Sequence, residues 1–460
     1  MKKLYILFIS ILIMSQSSFA QHSWSSYGDQ LNSSVNAILP DSGAGFYIAG
    51  PFTTIGTDSV GGIAQWNGQK FAKLGQKGIT GTTVTSLIRF GSGLVAAGNF
   101  SMIDTAHCNN IGYWDGLKWN RMDFGLDYTG ATTVSTLVVF NGDLYAAGNF
   151  HELGIDTLNN IAKWNGARWV KLGTGTNGAV NTMCVYGGKL YAAGTFTTAG
   201  GVTVHNIARW DGTSWADVDG GLEYTGATTV STLHAFNGNL YAGGTFNSAG
   251  GDEVKHNIAK WSGASWSDVG EELDYTGATT VSTLCIHDFD GKLIVETKYR
   301  SIEDPAVYTY GLESWNDTVW SHMDGQTDMQ INSLQVINGS LFAGGSFTEI
   351  ASDSVSFLAQ WATSSQRSAY TAAIAAEDAN SVTEIYPNPA TDELSFRTTT
   401  GVSSSYTITL SDLLGRTVCT KENQEEKFSF KEEQVKAGAY IYRIRDTSGN
   451  TVKQGKVIFK

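Results

Sequence analysis

The amino-acid sequence predicts an all-β chain: a seven-bladed β-propeller closed by an N-terminal strand, followed by a small Ig-like β-sandwich. Three observations predict it. An alternating apolar pattern recurs seven times, starting at Val35, Val84, Val134, Val180, Val230, Val281 and Ile331, with spacings of 49, 50, 46, 50, 51 and 50 residues. A steady period of this length, built from short strands, marks a propeller. All thirteen tryptophans fall within the pattern, and after Trp361 it gives way to a second strand pattern of different composition.

The chain opens with Lys2, Lys3, an apolar run from Leu4 to Met14, and the small residues Ser18 and Ala20. This is the layout of a secretory signal peptide over residues 1–20, and the run is too short to span a bilayer. No later stretch is long and apolar enough for a membrane span. Without Lys2 and Lys3, 28 basic residues face 43 acidic ones, a balance that opposes binding to nucleic acid. Cys108, Cys184, Cys285 and Cys419 show no framework spacing and are expected to be free thiols, with Cys184 and Cys285 at equivalent places in two repeats.

Residues 21–361 hold the repeats. The unit "VSTLVVFNGDLYAAGNFHELGIDTLNNIAKWNGARWVKLG" (134–173) reads as four antiparallel strands with tight turns. Glycine pairs such as those of "YAGGTF" suit a second strand passing close to its neighbours. Trp66, Trp114, Trp164, Trp210, Trp261, Trp315 and Trp361 end third strands. Trp119, Trp169, Trp215, Trp266 and Trp320 begin fourth strands, with Phe71 substituting once. A dozen such rings at about 150–250 Å² each exceed the apolar patch a soluble surface carries, so they are expected between blades. The seventh repeat lacks a fourth strand, and "HSWSSYGDQL", with Trp24, is expected to supply it and so close the ring. Residues 362–381 read as a linker, and residues 382–460 as the sandwich.

The last 79 residues carry "YPNPATDEL" (386–394), "LSDLLGRTV" (410–418), "GAYIYRIRDTSGN" (438–450) and a terminal "GKVIFK" (455–460). These motifs resemble the C-terminal sorting domains of the type IX (Por) secretion system of Bacteroidota. The residues that carry the resemblance are Tyr386, Pro387, Asn388, Pro389, Gly415, Arg416, Gly438, Tyr440, Gly455 and Lys456. The resemblance implies handling by the type IX secretion machinery and passage across the outer membrane. It further implies removal of the domain by a sortase-like protease, then attachment to surface lipopolysaccharide or release. The repeats, through "AGGxF" and "A-x-W-x-G-x-x-W", are similar to kelch or galactose-oxidase-type repeats of bacterial surface proteins.

No G-x-S-x-G elbow, H-E-x-x-H pair or P-loop is present, and the sequence assigns no catalytic residue, no metal and no cofactor. Asp58, Asp156, Asp252 and Asp353 each lie six residues past a loop-opening phenylalanine. They read as Asx-turn residues, or alternatively as oxygen ligands for a hard cation. His205 and His256 precede equivalent asparagines, and His234 sits on an inner strand at the place of Val138 and Cys285. The sixth blade departs from the pattern, bringing in Lys298, Tyr299, Arg300, Glu303 and Asp304, through either drift or a specialised contact surface.

The decapeptide "YTGATTVSTL" occurs at 128–137, 224–233 and 275–284. It places Asp127 with Tyr128, Glu223 with Tyr224, and Asp274 with Tyr275 on the joins entering blades three, five and six. An acid beside an aromatic ring suits a sugar, while recent duplication explains the repetition without any ligand. The sequence is therefore expected to encode an exported surface or secreted module, non-catalytic, that binds a glycan or a protein. A carbohydrate-active lyase or hydrolase and a structural surface-layer protein are the alternatives.

Overall fold

In a computed structural model of the chain, the described residues are 22–41, 45–126, 132–152, 157–223, 227–254, 257–270, 281–300, 308–323, 326–351, 353–355 and 357–363, then 382–386, 393–398, 406–411, 417–423, 427–429, 435–445 and 451–459. The chain divides into two compact units, residues 1–363 and 364–460. Among the described residues all regular structure is β, and no helix is long and apolar enough to cross a membrane.

The first unit contains successive antiparallel sheets, each a meander from first to fourth strand. Sheet one is built from Ala37–Pro40, Phe46–Ala49, Ile63–Trp66 and Phe71–Lys73. Sheet two has Ile79–Phe90, Gly93–Ile103, Ile111–Trp114 and Trp119–Arg121, with the short Ala106–His107 as a fifth strand. Sheet three runs through Thr133–Phe140, Asp143–Glu152, Leu158–Trp164 and Trp169–Lys171. Val180–Tyr186, Lys189–Gly194, Ile207–Trp210 and Trp215–Ala216 make sheet four. Sheet five is Thr229–Phe236, Asn239–Thr245, Ile258–Trp261 and Trp266–Asp268, and sheet six Val281–Phe289, Lys292–Arg300, Tyr308–Trp315 and Trp320–His322. In sheet seven, Ile331–Ile337, Ser340–Gly345 and Leu358–Thr363 are completed by His22–Ser26 from the other end of the unit. There Trp24 lies opposite Trp361 in the ladder, with ring centroids 5.3 Å apart.

Three sequence features explain the repetition. The second glycine of each "GG" or "AG" pair sits against the chain entering its own first strand: a Cβ on Gly148, Gly194 or Gly244 would lie 2.0–2.1 Å from the carbonyl oxygen of Thr133, Ala179 or Thr229. Only a residue without a side chain fits there. In sheets two, three and four the asparagine preceding Ile111, Ile161 or Ile207 adopts positive φ, 73° at Asn110 and 63° at both Asn160 and Asn206. Its amide donates to the following join, to Leu126 O, Thr176 O and Leu222 O at 2.8–2.9 Å. The tryptophans fill the spaces between sheets, and ten of the thirteen are buried. Trp119, Trp215, Trp266 and Trp320 also donate Nε1–H to Leu74, Leu172, Val218 and Val269 carbonyls of the preceding sheet or join at 2.7–3.2 Å.

First strands of consecutive sheets lie side by side, and that of sheet seven lies beside that of sheet one. One hydrogen bond recurs between them. Asn36 Nδ2 donates to Val84 O (3.2 Å), Thr85 Oγ1 to Val134 O (2.5 Å) and Asn181 Nδ2 to Val230 O (3.0 Å). Asn332 Nδ2 donates to Val35 O (3.3 Å), repeating it from sheet seven to sheet one.

In the second unit, Val382–Tyr386, Glu393–Thr398 and Lys427–Ser429 form one sheet. Thr417–Asn423, Tyr406–Ser411, Gly438–Arg445 and Thr451–Phe459 form another, around a core of Ile408, Leu410, Tyr442, Ile444, Val457 and Phe459.

Trp24 is among the largest fully buried side chains. Trp24→Ala should therefore cost about 3–5 kcal/mol in equilibrium unfolding, the usual range for emptying an aromatic site. A loss below about 1 kcal/mol would mean that the N-terminal strand is not part of the cooperative fold.

Candidate functional site

The joins entering the sheets differ in length, and those into sheets one and two span residues 27–36 and 74–78, ten and five residues. Those into sheets four and seven span residues 172–179 and 323–330, eight residues each, and carry Asn177 and Asp328 three positions before the strand's opening apolar residue. Asn177 Oδ1 accepts the backbone N–H groups of Thr197 and Thr198 at 2.8 and 2.9 Å, and Asp328 Oδ1 those of Thr348 and Glu349 at 2.8 and 3.0 Å. Asn32 holds Thr53 and Thr54 of sheet one the same way. The joins into sheets three, five and six, which carry the decapeptide, span residues 122–132, 217–228 and 269–280, eleven or twelve residues each. They are longer than the connection requires.

Of the six acid and aromatic residues expected on these joins, Glu223 alone is described; Asp127, Tyr128, Tyr224, Asp274 and Tyr275 lie outside the described residues. Glu223 is exposed, ends the short strand Leu222–Glu223, and has Oε1 3.4 Å from His205 Nε2. Its strand pairs with Ser248–Ala249, itself half of a hairpin with Asp252–Glu253. Asp58, Asp252 and Asp353 are exposed members of such short hairpins, set between the second and third strands of sheets one, five and seven. Among the described residues they do not gather into a cation site. Asp156 and His256 lie outside the described residues.

Sheet six departs from the others in its interior. Anchored on the hairpin turn, Glu296 and Thr297 occupy the register places of Gly243 and Gly244 in sheet five, and Glu313 that of Ala259. All three substitutes are buried. Glu296 Oε1 accepts the Ile331 N–H of sheet seven at 2.5 Å, whereas its buried Oε2 has no hydrogen-bond partner. Burial pushes this carboxyl well above its ordinary value, against the opposing pull of the Ile331 N–H and the Lys298 charge. Glu313 pairs with His322 Nδ1 at 2.8 Å across the ladder. Lys298 Nζ lies 4.0 Å from the ring centroid of Tyr308 and 5.5 Å from that of Tyr310, a cation held by two aromatic faces. Glu303 and Asp304 lie outside the described residues, as do the side chains of Tyr299 and Arg300.

The same anchoring corrects one sequence alignment. Cys285 stands opposite Glu296, two residues away from the register place of His234 and Cys184; His287, opposite Ile294, occupies that place. An identical "VSTL" had aligned the strands by their beginnings, while the hairpin fixes their ends. As a result His234, His287 and Asp288 meet between sheets five and six. His234 Nε2 is 2.8 Å from Asp288 Oδ1, and the two imidazole centroids are 5.1 Å apart. A separate cleft of about 550 Å³ lies where the N-terminal segment meets sheet seven, lined by Gln30, Leu31, Asn32, Thr348, Ser354, Val355 and Phe357.

In the second unit Tyr386 closes the strand Val382–Tyr386, and Gly438 and Tyr440 belong to Gly438–Arg445. Gly455 and Lys456 pair with Tyr442 and Ile441. Tyr440 packs edge-on against Phe459 at 5.8 Å and donates its hydroxyl to Lys436 O at 2.9 Å. Pro387, Asn388, Pro389, Gly415 and Arg416 lie outside the described residues. Residues 384–460 match the family described as the secretion system C-terminal sorting domain. They are a type IX secretion sorting domain. A chain that carries this sorting domain is exported to the cell surface or secreted.

The whole chain is similar to two solved structures. PorZ, an essential bacterial surface component of the type-IX secretion system of Porphyromonas gingivalis, aligns at 14% identity and TM-score 0.45 over 95% of this chain and 60% of that one. The extracellular domain of BT4673 from B. thetaiotaomicron aligns at 11% identity and TM-score 0.44 over 93% and 56%. This chain thus spans less than two thirds of either protein. No curated protein matches the sequence.

The buried Glu296 gives a pH dependence with a definite sign. Because its folded value is raised, the folded protein keeps a proton that the unfolded chain releases. The stability that Glu296 contributes is fully present below the ordinary carboxyl range and is lost as pH rises from there through the raised value. Glu296→Gln retains the acceptor for Ile331 N–H and removes the titration. Urea unfolding of this variant should vary less with pH, and it should exceed the parent in stability at pH 8. Superimposable pH profiles would show that Glu296 is not held neutral in the fold.

Proposed function

We propose that residues 21–361 are a seven-bladed β-propeller closed by its N-terminal strand, that residues 362–381 are a linker, and that the sorting domain begins near residue 382. Residues 1–20 serve as the leader. The propeller acts outside the cell as a non-catalytic module that binds a glycan or a protein. Support for closure comes from the His22–Ser26 ladder on Leu358–Thr363 and from the bond between Asn332 and Val35. The type IX machinery delivers the chain. A sortase-like protease then removes the last domain, and the propeller is attached to surface lipopolysaccharide or released.

The observation that carries the binding half is the surplus length of the decapeptide joins. Sheets one, two, four and seven are entered through ten, five, eight and eight residues, so the eleven or twelve entering sheets three, five and six exceed every other join. Each of the longer joins carries an acid followed by a tyrosine, at 127–128, 223–224 and 274–275. A tyrosine ring offers a sugar an apolar face, and the carboxylate beside it accepts hydroxyl hydrogen bonds.

Replacing Tyr128, Tyr224 and Tyr275 together by alanine should abolish retention on a glycan array while leaving the melting temperature within about 2 °C, as surface changes do. Retention unaltered by the triple substitution would make these joins connectors only. For delivery, deletion of residues 382–460 should leave a soluble, folded propeller inside the envelope of a type IX-competent host. Surface display of the truncated chain would refute the assignment of the signal.

A further inference from the structure

One register layer runs along the first strands of all seven sheets: Leu39, Ile88, Val138, Cys184, His234, His287 and Gln335, each opposite an equivalent position of its second strand. In the first four sheets this place holds Leu, Ile, Val and Cys. Each packs on the apolar core that its sheet shares with the next one. In sheets five and six the layer turns to imidazoles, and the seam between these two sheets becomes polar. The second-strand tyrosine facing His234, Tyr241, is still fully buried, so the framework around the pair is unchanged.

We propose that His234, His287 and Asp288 form a binding site for a divalent transition-metal ion, zinc in particular. One ligand atom from each lies within 4.8 Å of the other two. Asp288 Oδ1 is 2.8 Å from His234 Nε2 and 3.8 Å from His287 Nδ1, which also faces the Asp288 carbonyl at 2.8 Å. Zinc–nitrogen and zinc–oxygen bonds of about 2.0–2.2 Å bring ligand atoms within roughly 4 Å of one another, so small side-chain rotations complete the set. Two neutral imidazoles and one carboxylate suit zinc and exclude calcium and magnesium, which take oxygen ligands.

The His234 and His287 side chains are only 22% and 17% exposed, while Asp288 is 52% exposed. The open side leaves a fourth position for water or for an oxygen or nitrogen group of a bound molecule. The three residues lie at the hairpin ends of their strands, opposite to the ends entered by the decapeptide joins, so this site is independent of the proposed sugar contacts.

The test uses the full-length chain without an affinity tag, stripped with a chelator. Cobalt is titrated by its visible ligand-field bands and zinc by calorimetry, both at neutral pH. One equivalent of each is expected, with zinc displacing cobalt and with binding lost at acid pH, where imidazoles protonate. Two variants locate the site. His234→Val installs the residue that sheet three carries at Val138, and Asp288→Asn changes an exposed side chain, so both should keep the parent's circular dichroism. Each should weaken binding by about tenfold or more. Absence of saturable uptake by the parent chain, or uptake undiminished in both variants, would overturn the proposal.

Discussion

One side-chain hydrogen bond recurs at four of the junctions between neighbouring sheets of the first unit. The residue after the opening apolar position, Asn36, Thr85, Asn181 or Asn332, donates to the carbonyl that opens the next first strand. Each four-stranded sheet has two apolar faces, and neither can be left to water. The bond ties the opening of one first strand to the next, and the tryptophans fill the space between the sheets. The chain of contacts has no natural end, because a terminal sheet would expose a face and an edge. Asn332 bonding to Val35, and Trp24 packing on Trp361, answer that constraint by joining the two ends of the unit.

Much of this was legible because the repeat is read from core residues. The tryptophan positions, the glycine pairs and the missing fourth strand of the last repeat all follow from periodicity, and His22–Ser26 lies where the sequence requires a strand. Other features were not legible, each for a physical reason. The two-residue hairpins holding Asp58, Asp252 and Asp353 are too short to show alternation, so these residues resembled turn residues. The asparagine clamps at Asn110, Asn160 and Asn206 depend on a positive φ that a sequence does not display. The place of His287 was hidden by the identical "VSTL", because a strand's register is set by its hairpin and bulge and not by local identity. The buried Glu296 and Glu313 could have been suspected, since an acid stood where each other repeat keeps Gly or Ala.

Departures from the repeat concentrate on sheet six. It carries two buried carboxylates, a lysine between two tyrosines, and half of an imidazole pair, while its neighbours keep small and apolar residues at the same places. A repeated framework tolerates such changes where adjacent contacts remain intact, and here they remain so: Trp315 and Trp320 are buried like their counterparts. Local conflict with a packing rule, kept inside an otherwise consistent scaffold, is where function is expected. The sorting domain delivers the chain to the cell surface or beyond it.

The measurement that bears most directly on closure by the N-terminal strand is amide hydrogen exchange of residues 22–26. If the strand completes sheet seven, the amides that bond Leu358–Thr363 exchange only through global unfolding, as slowly as those of Ser340–Gly345. Exchange of residues 22–26 at the rate of a frayed terminus, beside a protected Ser340–Gly345, would contradict it.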